Sequence, residues 1–148
     1  MSTFSPRHCA QHYYKTGLQA RVSEASPHQL IALLLDGACQ RIDVARACLG
    51  DHATGADQPP PAPADLARKG KAIAAACAII AHLHDSLDHA KGGEIAANLA
   101  ALYDWLLQHL TQANLNNDVA ALDAALGVLH TLQTAWTEIG RTAIPQAA

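Results

Sequence analysis

The chain has 148 residues, half of them hydrophobic and only 4% aromatic, with a formal charge of −3. That length suits one domain with a core of its own, and the Ala- and Leu-dominated apolar content favours helices over strands. Nothing in the charge balance gives the basic footprint that nucleic acid or an anionic membrane surface requires.

Residues 1–25 mix Pro6, Gly17 and scattered apolar side chains (Phe4, Tyr13, Tyr14, Leu18, Val22) without a sustained period. They read as a loosely held N-terminal arm. Ser26-Pro27-His28-Gln29 then forms a helix start. Ser26 can accept from a first-turn N–H, Pro27 suits the first helical position, and Gln29 completes a capping box. The first helix runs to about Leu49 and presents Leu30, Leu34, Ala38, Ile42, Ala45 and Leu49 on one face, widened by Ile31 and Leu35. Residues 50–65 hold four of the seven prolines and form an exposed connector, because proline removes donors and forbids helix continuation.

A second helix is expected from about Ala64 to His89, with Leu66, Ile73, Ile80 and Leu87 on its core seam and a run apolar all round at residues 72–81. Gly92-Gly93 is expected to stop it. A third helix follows, its Ile95, Leu99, Leu102, Leu106, Leu110 and Ala113 spaced by three and four to hold one face, with Tyr103, Trp105 and Leu107 off that stripe. This surplus of apolar surface, and that of residues 72–81, points to a partner. Asn114, Asn116, Asn117 and Asp118 supply the next turn and cap. The fourth helix carries Val119, Leu122, Leu126, Leu129, Leu132, Trp136 and Ile139 and ends near Gly140, leaving residues 141–148 as a tail. Short second and third connections make neighbours antiparallel. The expected fold is all-α: an antiparallel up-down four-helix bundle over residues 26–140, preceded by the arm.

Charge is unevenly distributed along this bundle. All ten Lys and Arg lie at or before Lys91 or at Arg141, so residues 92–140 hold five acids and no base. A sparsely charged surface suggests that something apolar covers it.

The nine histidines do not form a metal signature. None has an acid three residues before it, as carboxylate-bridged bundles require, and His82 and His84 point to different sides of their helix. Neither a metal nor a cofactor is expected. Asp85 and Asp88 read as a local charged cluster near His89 and Lys91, and Cys77 has no neighbouring base to favour a thiolate. The four cysteines lack any C-x-x-C and fit free thiols in a reducing compartment. No apolar run is long enough to cross a bilayer and the N-terminus lacks a signal-peptide core, so a cytoplasmic protein without enzymatic activity, nucleic-acid partner or membrane insertion is expected.

With the chain laid out in this way, it resembles the flagellin export chaperone family, FliS. The matching strings are Ser26-Pro27-His28-Gln29-Leu30-Ile31 with Leu34 and Asp36-Gly37-Ala38, then Ile79-Ile80 with Leu87-Asp88. Lys91-Gly92-Gly93-Glu94-Ile95-Ala96 with Asn98-Leu99, Leu102-Tyr103-Asp104, Ala113-Asn114-Leu115 with Asn117-Asp118, and Trp136 complete the pattern. Two departures are Leu35, where the family usually has an aromatic before Asp-Gly, and a longer proline-rich connector, which costs little because loop closure grows slowly with length.

The resemblance implies a helical bundle that holds the C-terminal segment of flagellin, prevents premature polymerisation and supports delivery to a component of the flagellar type III export gate. The client's short helices would enter apolar grooves, for which Ile80, Leu83, Leu99, Tyr103, Leu106 and Leu107 are the candidate contacts, some of them facing the chaperone's own core. Tyr13 resembles the family's arm tyrosine, so Tyr13, with Tyr14 and Leu18, is the candidate for arm docking or gate contact. A co-chaperone or a homodimer is a further partner to consider, and a self-associating structural bundle that uses the same apolar face is the alternative reading.

Overall fold

The computed structural model describes residues 26–50 and 59–143, and side-chain burial as far as Arg141. The chain forms two compact units, Met1–Ile31 and Ala32–Ala148. Of the first, only residues 26–31 are described. The described residues form four helices: α1 (Pro27–Leu49), α2 (Pro63–Asp85), α3 (His89–Asn116) and α4 (Val119–Ala143).

The start of α1 is the reciprocal capping box expected from its sequence. The Gln29 N–H donates to the Ser26 hydroxyl at 3.2 Å, and the Ser26 N–H donates to Gln29 Oε1 at 3.0 Å. The helix buries Leu35, Ala38, Cys39, Ile42, Ala45 and Leu49 and closes at Gly50, whose φ of 58° is the left-handed stop that glycine adopts freely.

Helix α2 begins with Pro63 in its first turn and buries Ala72, Ile73, Ala76, Ile80 and Leu83. Its end corrects the sequence expectation, because it stops at Asp85, before the glycine pair. The Ser86 N–H turns back to His82 O at 3.1 Å, and the Ser86 hydroxyl donates to Leu83 O at 3.0 Å. Asp88 then opens α3 by accepting the Lys91 N–H at 3.0 Å. Short polar side chains that compete for backbone groups end one helix and cap the next before the glycines are reached.

Gly92-Gly93 therefore lies inside α3. Gly93 is non-helical there, with φ 51° and ψ −123°, a region reserved for glycine. Gly92 is needed for close approach, since a Cβ there would meet Ala96 Cβ at 2.8 Å. At its other end, α3 finishes on Asn117 in the left-handed region, φ 51° and ψ 44°, and Asp118 accepts the Ala121 N–H at 3.2 Å to cap α4. Helix α4 extends to Ala143, slightly beyond the expected end near Gly140.

The four helices pack as an antiparallel bundle. Lys69 near the start of α2 reaches Asn114 and Asn117 at the end of α3, while His84 near the end of α2 reaches Asp104. Helix α1 runs antiparallel to α4, with Cys39 against Gln133 and Arg46 paired with Asp123, and its Gly37 lies beside Ile79 of α2. The largest side chains sealed in the interior are Ile42, Leu49, Ile73, Ile80, Leu106, Leu110, Leu122 and Leu129, drawn from all four helices.

Candidate functional site

The apolar stripe of α3 is only half covered. Leu106, Leu110 and Ala113 are fully buried, yet Ile95, on the same face, is 72% exposed, and Leu99 and Leu102 are half-buried. Helix α4 shows the same gradient. Leu122 and Leu129 are sealed, Leu132 is half-buried, and Ile139 is 53% exposed. Because the Asn117–Asp118 turn makes the two helices antiparallel, the first turns of α3 lie beside the last turns of α4. Ile95 and Ile139, the most exposed members of the two stripes, therefore lie toward the same end of the hairpin.

The proposed contact residues divide by depth. Ile80, Leu83, Tyr103 and Leu106 are buried, whereas Leu99 and Leu107 are half-buried at the surface. Tyr103, read from periodicity as off the stripe, is 5% exposed and belongs to the core, and burial raises its phenol pKa above the ordinary value. Tyr13, Tyr14 and Leu18 lie outside the described residues. Ile95, Leu102 and Leu132 were absent from the sequence-derived contact set. Their signal was the stripe itself, but periodicity gives direction without saying whether a neighbour covers it.

On the flank of α3, the Trp105 and His109 rings stack with centroids 3.7 Å apart and planes at 29°, and His109 Nδ1 lies 3.1 Å from Trp105 O. Both side chains are half-buried and extend the apolar edge of the helix. At the α2–α3 junction, His84 Nε2 stands 3.2 Å from Asp104 Oδ1 and its Nδ1 3.9 Å from Asp85 Oδ1, a partly exposed and thus weak tie.

Among the described residues, no group of three or more His, Cys, Asp or Glu side chains could hold a metal ion, and no helix is long and apolar enough to cross a membrane. Cys39, Cys48 and Cys77 are free thiols. Cys39 is 4% exposed and lies 3.5 Å from Gln133 Oε1. Burial first, then the carboxylates of Asp43 and Asp36, push its pKa from 9.0 up to about 11. The folded state thus holds this proton more tightly than the unfolded chain. The stabilisation is complete below pH 9 and is lost as pH rises toward 11. Urea unfolding at pH 8 and pH ~10.5 should show a loss of about 2 kcal/mol that is absent in Cys39→Ala, taken relative to that variant's own stability at pH 8.

What this surface offers is apolar contact. Residues 92–140 carry five acids and no lysine or arginine, and the bases nearest in the chain are the exposed Lys91 and Arg141 that flank them.

Comparison with known proteins places these features in one family. The family model for flagellar protein FliS matches residues 10–143. The flagellar secretion chaperone FliS of Salmonella typhimurium is 39% identical over 128 residues, covering 86% of each chain. The flagellar secretion chaperone FliSB of Pseudomonas aeruginosa is 35% identical over 127 residues, covering 86% of this chain and 91% of its own. The Vibrio cholerae FliS is 31% identical over 129 residues, covering 87% and 86%. With that match spanning all four helices and the Ser26-Pro27 and Gly92-Gly93 signals, the chain belongs to the FliS family of flagellar proteins.

Proposed function

We propose that this protein is a cytoplasmic flagellin export chaperone, a binding protein without catalysis, that captures the disordered C-terminal segment of flagellin on the uncovered apolar surface of α3 and α4. The observation that carries the reading is the stripe at the start of α3, aimed at the core yet 72% exposed at Ile95. Leu99 and Leu107 act as direct client contacts. Ile80, Leu83, Tyr103 and Leu106 form the packed floor beneath them. Delivery to the export gate follows capture, with Tyr13, Tyr14 and Leu18 of the arm as the contacts for arm docking or for the gate.

The energetics favour several anchors rather than one. Ordering a disordered client costs ~2–5 kcal/mol, and each Leu- or Ile-sized side chain that becomes fully buried returns ~1.5–3 kcal/mol. Ile95 offers the largest single increment, and the surface still exposed on Leu99, Leu102 and Leu132 adds to it, so several anchors must act together. Covering the client's own apolar side chains also prevents the free client from pairing with other copies of itself.

Isothermal titration with a C-terminal peptide of the cognate flagellin, and an N-terminal flagellin fragment as control, tests the reading. Saturable one-to-one binding of the C-terminal peptide, with a negative heat-capacity change from apolar burial, is expected. A folded protein that binds neither fragment, or both equally, overturns it.

A further inference from the structure

Helix α1 buries Leu35, Ala38, Cys39, Ile42, Ala45 and Leu49 against the other helices. On the side turned away from that core, Leu33, Gly37, Gln40, Val44 and Ala47 follow one another at intervals of four, three, four and three residues, the spacing of a coiled-coil seam. None of the five is buried, and Leu33 and Val44, the two largest apolar side chains among them, are 39% and 40% exposed. The half-buried Ile79 of α2 lies with its Cδ1 3.5 Å from where a Cβ on Gly37 would stand, so it adds apolar surface beside the seam.

The charges are placed as such a seam requires. With Gly37 and Val44 at the a positions, and Leu33, Gln40 and Ala47 at d, Asp36 falls at g and Arg41 at the following e, on opposite flanks. Both side chains are exposed. In two parallel helices the g residue of one meets the e residue five positions later on the other, so Asp36 of each copy faces Arg41 of its partner, twice over by symmetry. Asp36 Oδ2 accepts from Gln40 Nε2 at 3.0 Å, which holds the carboxylate beside the seam, and a carboxylate has further lone pairs for a guanidinium. An antiparallel pair would instead set g against g and bring Asp36 and Asp43 together, like charge on like. Valine at a with leucine at d is also the combination that favours two parallel strands.

We propose that this outer face of α1 pairs with the same face of a second copy of the chain, helix parallel to helix. The seam is short and holds a glycine and a glutamine, so the contact is at the low end of the size range for specific interfaces and the dimer is transient. It is a different surface from the one on α3 and α4 proposed for the client. Helix α1 packs on α4 through Cys39 and Gln133 and on α2 through Gly37 and Ile79, and its outer face turns away from α3. A pair of chains therefore offers two client surfaces.

Sedimentation equilibrium of the full-length chain without client, under reducing conditions and over a roughly 100-fold range of concentration, tests this. The mass should rise from one chain toward two. Asp36→Arg and Arg41→Asp each set like charges against one another twice in the pair, and each should weaken association at least ~10-fold. Both positions are exposed, so the variants should keep the wild-type melting curve. An equimolar mixture of the two variants should recover the association, because every pairing across the seam is then of opposite charge.

A chain that stays monomeric throughout overturns the proposal, as does a dimer that the single variants leave unchanged or that the mixture fails to restore. Tighter association of Asp36→Arg alone would show an antiparallel arrangement and overturns the parallel one. All of these results are read without client, so the chaperone reading stands or falls separately by its own titration.

Discussion

Replacing Leu106 by alanine lowers the unfolding free energy by about 3–5 kcal/mol, the range expected when a fully buried leucine leaves a cavity. Leu106 is 0% exposed, sits midway along α3 and belongs to an interior drawn from all four helices, so little can collapse into the space it vacates. Domains of this size have a total stability of only ~5–15 kcal/mol, so the variant loses a large share of it. Urea unfolding followed by circular dichroism reads the effect. The measurement also separates floor from surface within the proposed contact set. Leu99→Ala, at a half-buried position, should cost less than ~1.5 kcal/mol. Equal losses at the two positions would mean that Leu99 is as much part of the interior as Leu106.

The complementary result concerns binding. Leu99→Asp and Ile95→Asp should each weaken the C-terminal flagellin peptide about 10- to 100-fold, because each removes apolar area that the client would cover and asks the client to bury a carboxylate. Ile95 is 72% exposed, so in the absence of client its replacement leaves the melting curve nearly unchanged. The two positions lie one turn apart and would be covered by the same client segment, so the double variant need not show the sum of the single effects. Titration of folded variants checks this, and wild-type affinity in both would place the client elsewhere on the bundle.

The contrast between these residues shows what could be read in advance. The Ser26–Gln29 capping box and the Asn117–Asp118 turn depend on neighbours in the chain, and both appear where the sequence placed them. The stripe of α3 was legible as a direction and illegible as a depth. Ile95 and Leu106 point the same way, yet one is exposed and the other sealed, because cover comes from other helices. Tyr103 lies off the aliphatic row, so periodicity alone did not place it inside, yet it and Ala96 two turns earlier are both buried. The end of α2 moved because Ser86 and Asp88 act before glycine is reached. Lys69 was the least visible. A lysine in an Ala-rich helix reads as solvated, and only the third dimension brings the free carbonyl of Asn114 to it, 45 positions later.

The hairpin that carries the uncovered stripe contains no lysine or arginine between Lys91 and Arg141, and both of those side chains are exposed. To trypsin, which cuts only after such residues, the bulk of α3, the Asn117–Asp118 turn and nearly all of α4 form one uncut peptide. Any contact surface on this hairpin would travel through a digest in a single piece, while α1 and α2, with their many basic residues, are divided.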